Sequence, residues 1–189
     1  MTFLTSLPFC AGVTTNNFVP MACLTILTVP DARLKVKALP VPLVDDSIRK
    51  LMDDMMETMY ADDGAGLAAT QVGINKRVIV VDLGEHTPDM GPLKFANPEI
   101  VWRSTEIKKN WEACLSVPGQ SAQVERSAAI RLRYLDENNT VQEKDFDDWA
   151  AICLQHEIEH LDGILYIDHL SALKRNLLIS KARKFRKSE

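Results

Sequence analysis

The sequence lacks the features that mark several large classes of protein. No apolar run approaches the roughly 18 to 20 residues that cross a bilayer, so we expect no membrane partner. The four cysteines lie far apart without a Cys-x-x-Cys pair. This spacing argues against a disulfide scaffold and favours reduced thiols in a cytoplasmic compartment, a bacterial cytosol or an organelle. With 22 basic and 26 acidic residues the net charge is −4, so we expect no DNA-binding surface.

The length and composition fit one globular domain. The chain has 189 residues, of which 46% are hydrophobic and 25% are charged, enough for a core without disulfide or metal staples. The first charged residue is Asp31, whereas secretory and transit signals need basic residues. We therefore expect residues 1–20 to be an uncharged N-terminal extension and residues 21–189 to be a single domain. The alternative for residues 1–20 is an ordered segment packed on that domain.

The hydrophobic pattern predicts an α+β fold. Apolar residues three and four apart predict helices over 45–60, over 147–162 with Asp147 and Asp148 as caps, and over 171–187. Alternating and β-branched runs predict strands over 77–83, 99–103, 105–115, 129–135 and 140–146. Strands in the middle of the chain indicate antiparallel or mixed β-sheets around a central helix, with an N-terminal helix and a C-terminal helix.

The central helix carries the clearest chemical signal, the segment His156-Glu157-Ile158-Glu159-His160. Residues four apart lie on one face of a helix, so both imidazoles can reach one metal ion. Glu157 follows the first imidazole and can act as a general base toward an attacking water. The alternative is a pair of surface histidines. Trp149, Ile152 and Cys153 share their face, however, and unpaired imidazoles on an apolar face would be costly.

The third metal ligand is expected upstream of this helix. A zinc protease of the His-Glu-x-x-His-x-x-Gly-x-x-His type would have its third histidine where Tyr166 stands. Upstream, Cys114 ends a predicted strand before a Pro-Gly turn, and a thiolate is a strong ligand for iron or zinc. Alone, Cys114 would be interpreted as a buried structural cysteine, but beside the two histidines it becomes the best third ligand. Buried structural roles are expected for the other three cysteines, Cys10, Cys23 and Cys153.

A glycine-rich segment, Gly64-Ala65-Gly66-Leu67-Ala68-Ala69-Thr70-Gln71, follows the first helix. Its glycines allow the backbone of a ligand to approach closely, and the amide of Gln71 offers a neutral N–H donor for an oxyanion. Taken alone, the segment is equally well a plain loop between a helix and a strand.

Three of these segments, in this order, resemble the three motifs of the peptide deformylase family. They are Gly-Ala-Gly-Leu-Ala-Ala-Thr-Gln, Glu-Ala-Cys-Leu-Ser and Gln-His-Glu-Ile-Glu-His. The resemblance extends from Leu24 to the region of Lys187 and implies an α+β domain with antiparallel sheet around the metal helix. The implied metal ligands, besides one water, are Cys114, His156 and His160. The implied catalytic groups are Glu157 as general acid and base, with Gln71 and the backbone N–H of Leu115 as oxyanion donors.

The resemblance also implies a reaction. Members of the family remove the formyl group from the N-formylmethionine of nascent chains and release formate. One divalent ion is implied per chain, Fe(II) in the cell, replaceable by Ni, Co or Zn in preparations. The methionine side chain needs an apolar pocket, which is implied to be bordered by Glu112, Trp149, Ile152 and Cys153. The peptide backbone is implied to pair with Gly64, Ala65 and Gly66.

Two positions depart from the family pattern. The family usually has glycine between the glutamate and the cysteine of its second motif, where this chain has Ala113. If that position needs a positive φ, alanine adds strain of about 1 kcal/mol or more. Many bacterial relatives have an arginine seven residues after the metal cysteine, where this chain has Ser121. A charged contact to the peptide from that position is therefore in doubt, with Arg126 as a local substitute.

The C-terminal segment is strongly basic for an acidic protein. Seven of its last sixteen residues are lysine or arginine. One interpretation is a solvated helix face. The other is docking of the basic helix on ribosomal RNA near the emerging nascent chain, as in some relatives.

Two rival functions remain open from the sequence. A zincin-type metallopeptidase would cleave long peptides internally, but the absent downstream ligand weighs against it. A catalytically inactive relative that binds the ribosome would keep the fold without turnover. The intact ligand set, Glu157 and Gln71 weigh against that alternative.

Overall fold

Two antiparallel sheets and three α-helices form the described part of the chain, which comprises residues 23–84 and 91–185 in this computed structural model. The helices are α1 (Asp46–Ala61), α2 (Asp148–Leu161) and α3 (Ala172–Phe185). The strands are β1 (Gly66–Ala68), β2 (Val78–Val81), β3 (Leu93–Arg103), β4 (Ile107–Ala113), β5 (Ser121–Ser127), β6 (Ala129–Leu135) and β7 (Val141–Asp147). The predicted extension over residues 1–20 lies outside the described residues.

The strands form one five-stranded sheet in the order β1-β2-β3-β6-β7 and one two-stranded sheet of β4 and β5. Every pairing between these strands is antiparallel. The α+β class is therefore confirmed, and the antiparallel form of the two predicted sheet types is the one observed. Strand β1 lies at an edge of the larger sheet, which leaves its outer side available for another strand.

Helix α1 forms for the reasons that its sequence indicates. The Asp45 carboxylate accepts a hydrogen bond from the backbone N–H of Ile48 at 3.0 Å and so caps the first turn. Residues at three- and four-residue spacing, among them Met52, Met55 and Met59, are fully buried against the sheet. The helix ends at Ala61, and Asp63, two residues later, adopts a left-handed φ of 53° as the chain turns toward β1.

Helix α2 is the central element, because it packs on the face of the five-stranded sheet. Its buried residues Ala151, Leu154 and Leu161 join a core cluster with Phe95 and Ile130 from the sheet. The helix also contacts β5 of the smaller sheet. Its two histidines are therefore held between the two sheets.

The predicted caps of α2 are wrong in detail. Asp147 occupies the N-cap position but makes no capping hydrogen bond through its side chain. Asp148 is the first helical residue, with a φ of 47°, and its carboxylate pairs instead with Lys108 of β4.

Helix α3 packs against a third apolar cluster. Leu178 and Ala182 of α3 are buried there beside Val117 and Val124 of the region around β5. The predicted C-terminal helix is thus observed over Ala172–Phe185, and residues 186 and 187 lie outside the described residues. In the described ranges, no helix is both long and apolar enough to cross a membrane.

Two strands were not expected from the sequence. The alternation of polar and apolar residues in β5 is a strand pattern, but a weak one, because Val124 is its only β-branched residue, and β1 is too short, at three residues, to show a pattern. Strand β5 forms because it pairs with all seven residues of β4. Cys23, expected to be buried, is exposed.

Candidate metal centre and active site

Three ligand atoms from two parts of the chain converge on one point. Cys114 Sγ lies 3.2 Å from His160 Nε2, and His160 Nε2 lies 3.2 Å from His156 Nε2. All three atoms lie within 4.8 Å of one another. The two histidines are one turn apart on α2, and Cys114 follows the last residue of β4. The helix and the smaller sheet therefore each deliver part of the predicted ligand set.

The spacing of these atoms fits a metal ion. A tetrahedral ion with ordinary bond lengths holds two nitrogen ligands about 3.3 to 3.4 Å apart and a nitrogen and a sulfur about 3.6 Å apart. The observed separations, both 3.2 Å, need only a small expansion. One thiolate and two imidazoles are also a donor set that iron and zinc accept. Cys114, His156 and His160 can thus hold one ion.

The two imidazoles differ in their surroundings. His156 Nδ1 lies 2.7 Å from Glu112 Oε2, and a hydrogen bond from this nitrogen leaves the lone pair of Nε2 for the metal. Burial lowers the pKa of His156, but hydrogen bonds to Cys114 and Glu112 outweigh burial and raise it. Burial, helped by the charge of His156, holds the pKa of His160 well below its usual value. The low pKa favours the neutral form of His160, which is the form that binds metals, whereas His156 has to give up a proton when an ion binds.

A buried network of ion pairs contacts the Nδ1 side of His156. Arg126 Nε lies 2.7 Å from Glu112 Oε1, and Arg126 Nη1 lies 2.6 Å from Glu159 Oε1. The side chains of Arg126 and Glu112 are only 3% and 5% exposed. Burial alone would raise the pKa of Glu112, but the hydrogen bonds from His156 and Arg126 lower it to about 2. Glu112 is thus an anion that fixes the orientation of His156, one of the three candidate ligands.

Glu157 is buried beside the ligands, at 5% exposure. Its Oε2 atom has no hydrogen-bond partner among the described residues. Burial raises the pKa of the Glu157 carboxyl to about 7. A carboxyl with a pKa near neutrality can both accept and return a proton, which general acid–base catalysis requires.

Gly66 leaves the space that Glu157 occupies. A Cβ atom at Gly66 would lie 2.6 Å from Glu157 Oε1 and 2.8 Å from two carbons of the same side chain. Only glycine allows β1 to pass this close to the carboxylate. Gly66 was singled out from the sequence for a contact with the peptide backbone, and the structure adds this second reason for glycine.

The Gln71 side chain is held in one orientation. Its Oε1 atom accepts a hydrogen bond from the Ala68 backbone N–H at 2.8 Å. Its Nε2 atom lies 3.2 Å from Ser116 Oγ and 3.5 Å from Cys114 Sγ. The amide N–H groups therefore point toward Cys114 and Ser116, at the edge of the candidate metal centre.

A cleft of about 970 Å³ opens over the centre. Its walls come from the β1 segment, the end of β4, the turn that follows Cys114, and α2. All the residues implied to bind the substrate line it, namely Gly64, Ala65, Gly66, Glu112, Trp149, Ile152 and Cys153. Leu115 lines it as well, next to Cys114.

Sequence reasoning missed the role of Arg126 and the contact made by Ser116. Arg126 was considered as a substitute for a charged peptide contact, but it is 4% exposed and bound to two carboxylates. The pattern of β5 held a signal, since Ala122, Val124 and Arg126 fall on the same inward face of the strand. A charged residue at an inward position indicates a buried ionic partner.

Ala113 carries no backbone strain. Among the described residues other than glycine, positive φ values occur at Asp63, Asn97, Asn139 and Asp148. Ala113 instead ends β4 in paired, extended backbone opposite Ser121. The condition under which alanine would cost energy is therefore not met.

We expect Ala113→Gly to leave catalysis nearly unchanged. Metal content and kcat/KM should stay within about twofold, while the melting temperature falls slightly, because glycine in a strand costs about 0.5–1 kcal/mol relative to alanine. Metal analysis, kinetics and thermal unfolding on one preparation check this. A tenfold change in metal affinity would contradict the assignment of Ala113 as neutral.

Gly66→Ala should disable the centre without unfolding the domain. The added methyl group must displace the Glu157 carboxylate, and a misplacement of about 1 Å costs on the order of 100-fold in rate. The expected readout is a kcat about 100-fold lower with one metal ion still bound. Gly84→Ala is the control, since no atom lies within 4 Å of a Cβ added there and the residue does not line the cleft. Its φ of 50° means that alanine there can lower the stability through backbone strain, but it should leave kcat unchanged. Equal kcat values for the two variants would show that Glu157 tolerates the methyl group.

The geometry defines a class of protein, a mononuclear metal hydrolase with a buried carboxylate beside the ion. The polypeptide deformylase family model matches residues 23–176. A peptide deformylase of Phenylobacterium zucineum is 49% identical over 168 residues, which cover 89% of this chain and 99% of that protein.

Solved structures agree with this match. The peptide deformylase of Ehrlichia chaffeensis has a TM-score of 0.84 at 43% identity and covers 88% of this chain and 98% of its own. The same enzyme in complex with actinonin has a TM-score of 0.83 at 45% identity and covers 87% and 98%. The chain belongs to the polypeptide deformylase family. It is a metal-dependent hydrolase that removes the N-formyl group from the formylmethionine of newly made proteins and releases formate.

Proposed function

We propose that Cys114, His156 and His160 hold a single divalent ion and that this ion is Fe(II) in the cell, with Zn, Ni or Co taking its place in preparations. The convergence of the three donor atoms within 4.8 Å is the observation that carries this assignment. When bound, the ion polarises the formyl oxygen and makes water a stronger acid. The other protein groups that act in the reaction are side chains and backbone groups of this chain.

Glu157 moves the proton. Its carboxylate takes a proton from the attacking water, which then adds to the formyl carbon. The C–N bond of the formamide breaks as Glu157 returns the proton to the leaving amine, so the products are formate and a free methionyl amine. Burial favours this exchange, because it brings the pKa of the carboxyl to about 7.

Gln71 and Leu115 stabilise the developing oxyanion. Gln71 Nε2 is aimed at the centre by the hydrogen bond that Oε1 accepts from Ala68. Leu115 follows Cys114 and lines the cleft, so its backbone N–H is the second donor that we propose. Two fixed N–H donors stabilise negative charge more than mobile solvent does, because they need no reorganisation as the charge develops.

The peptide backbone adds to the edge of the sheet. Strand β1 has a paired side toward β2 and an outer side toward the cleft. An extended peptide that pairs with this edge would present its formyl group to the metal centre. The methionine side chain then enters the part of the cleft bordered by Glu112, Trp149, Ile152 and Cys153.

The experiment that tests the assignment is formate release from formyl-Met-Ala-Ser by protein purified without oxygen. Bound metal is quantified in the same sample. We expect turnover that declines in air, persists after nickel exchange and stops on chelation. Actinonin, which binds the Ehrlichia chaffeensis relative, should inhibit it. Internal cleavage of long peptides without formate would favour the metallopeptidase, and a fully metallated protein without turnover would favour an inactive ribosome-binding relative.

The basic face of α3 is proposed to dock on the ribosome. Lys181, Arg183 and Lys184 are exposed on the last turns of the helix. Phosphate groups of ribosomal RNA attract such a cluster, and a nascent chain that starts with formylmethionine emerges from the same particle. The compartment we propose is accordingly the bacterial cytosol.

Reversing these three charges to glutamate should weaken ribosome binding and reduce its dependence on salt, while leaving activity on short peptides. The matched control reverses three exposed lysines elsewhere, Lys37, Lys109 and Lys144. Co-sedimentation over a salt series distinguishes them. Equal losses in both variants would mean that net charge alone, and not α3, governs the association.

A further inference from the structure

The end of α3 reaches the substrate cleft. Phe185, the last described residue of this helix, lines the cleft and is 43% exposed. A Cβ atom at Gly119 would lie 2.6 to 3.0 Å from three carbons of the Phe185 ring. Gly119 also has a φ of 67°. Glycine therefore both permits the left-handed backbone of the turn and leaves room for the ring. The ring therefore lies directly on the backbone of the turn after Cys114.

The position of the ring follows from the helix pattern. Leu178, Ala182 and Phe185 occupy i, i+4 and i+7, which is one stripe of an α-helix. The first two are 7% and 1% exposed in the cluster with Val117. Phe185 continues this stripe beyond the core and into the cleft, so its exposed surface faces the space in which a peptide binds.

This side of the cleft offers aromatic rings and, among its described residues, no cation. None of its described lining residues is lysine or arginine, so no cation is available there to bind a carboxylate of the peptide. Trp111 of β4 also lines the cleft and is 68% exposed. The proposed methionine pocket uses Trp149, Ile152 and Cys153 of α2, whereas Phe185 lies on the turn between β4 and β5. The ring is thus placed for a residue downstream of the methionine.

We propose that Phe185 is a specificity-determining residue that contacts the side chain of the second or third residue of the formylated peptide and favours an aromatic one. Aromatic pairs add about 0.5–1.5 kcal/mol beyond the area they bury, which corresponds to about two- to twelvefold in affinity. This inference rests on the cleft being the peptide-binding cleft. It makes α3 part of the substrate site and not only a support for the core.

Phe185→Ala tests the proposal with four peptides that place phenylalanine or glycine at each position. They are formyl-Met-Phe-Ser, formyl-Met-Gly-Ser, formyl-Met-Ala-Phe and formyl-Met-Ala-Gly. At one of the two positions, kcat/KM of Phe185→Ala for the phenylalanine peptide should be about three- to tenfold lower than that of the unsubstituted protein, mainly because KM rises. The matching glycine peptide should change less than twofold. Phe185→Leu should retain part of the preference, since it keeps an apolar side chain.

Leu173→Ala is the matched control on the same helix, because Leu173 is 83% exposed and does not line the cleft. It should leave all four kcat/KM values unchanged. Equal losses on phenylalanine and glycine peptides in Phe185→Ala, or no change at either position, would overturn the proposal. If the deformylase assignment itself were wrong, the unsubstituted protein would release no formate from any of the four peptides.

Discussion

Glu157→Gln is expected to lower kcat for formate release by about 10²- to 10⁴-fold, the range that a positioned general base contributes. Glutamine keeps the size of the side chain and its fit beside Gly66, but it cannot take a proton from water. KM should change little, because the carboxylate acts on the reacting atoms and not on peptide affinity. The measurement is steady-state kinetics on formyl-Met-Ala-Ser with metal content determined in parallel.

The metal content decides how this result is interpreted. Glu157 is not one of the three converging donors, so the variant should retain one ion per chain. It should also be no less stable, since the Oε2 atom of the native residue has no described hydrogen-bond partner. A variant that keeps both its metal and native kcat would remove Glu157 from the mechanism. Loss of metal with loss of kcat would instead make it a residue that supports the centre.

The metal centre could be predicted from the sequence because its signal is local. His156 and His160 are separated by one helical turn, and Glu157 lies between them, so a five-residue pattern holds most of the chemistry. Cys114 needed a second argument, the absence of a downstream ligand. Helix α1 could be predicted equally well, since its apolar spacing and the Asp45 cap are both properties of a short segment.

The support for the centre could not be predicted, because it depends on register between distant strands. Glu112 contacts His156 across 44 residues, and Arg126 contacts Glu112 across 14. The second contact depends on the pairing of β4 with β5, in which Glu112 lies opposite Ala122, and the alternation of β5 is only a weak strand signal. Ala113 is a different case. The sequence left open whether alanine is strained at this position, and the backbone dihedral angles show that it is not.

The α3 helix shows a third kind of limit. Its basic residues are visible in the sequence and suggest a partner, but nothing local indicates that Phe185 lines the cleft. That contact arises because Gly119, 66 residues earlier by number, presents bare backbone to the ring. Long-range contacts of this kind determine which peptides fit, whereas the short motifs determine which bond is broken.

Glu112→Ala should both destabilise the domain and weaken its hold on the metal. The substitution leaves Arg126 buried with Glu159 as its remaining carboxylate partner, and an incompletely paired buried charge costs about 3 kcal/mol. For a domain of this size that corresponds to a melting temperature about 6–12 °C lower. His156 also loses the acceptor of its Nδ1 proton, and loss of such a partner typically weakens metal affinity about 10- to 100-fold.

Measuring apo and metal-loaded protein separates these two effects, because metal binding itself raises the melting temperature. Glu112→Gln keeps an oxygen acceptor for His156 but not the charge, so it should recover more of the metal affinity than of the stability. Removing both charges in Glu112→Gln/Arg126→Met should restore much of the stability, since Arg126 no longer stays buried without its full set of partners. Glu159 loses Arg126 in this variant but keeps its contact with His169 Nε2 at 2.8 Å. If the double variant is as unstable as Glu112→Ala, packing rather than charge accounts for the contribution of Glu112. If Glu112→Ala binds metal with native affinity, the orientation of His156 does not depend on this carboxylate.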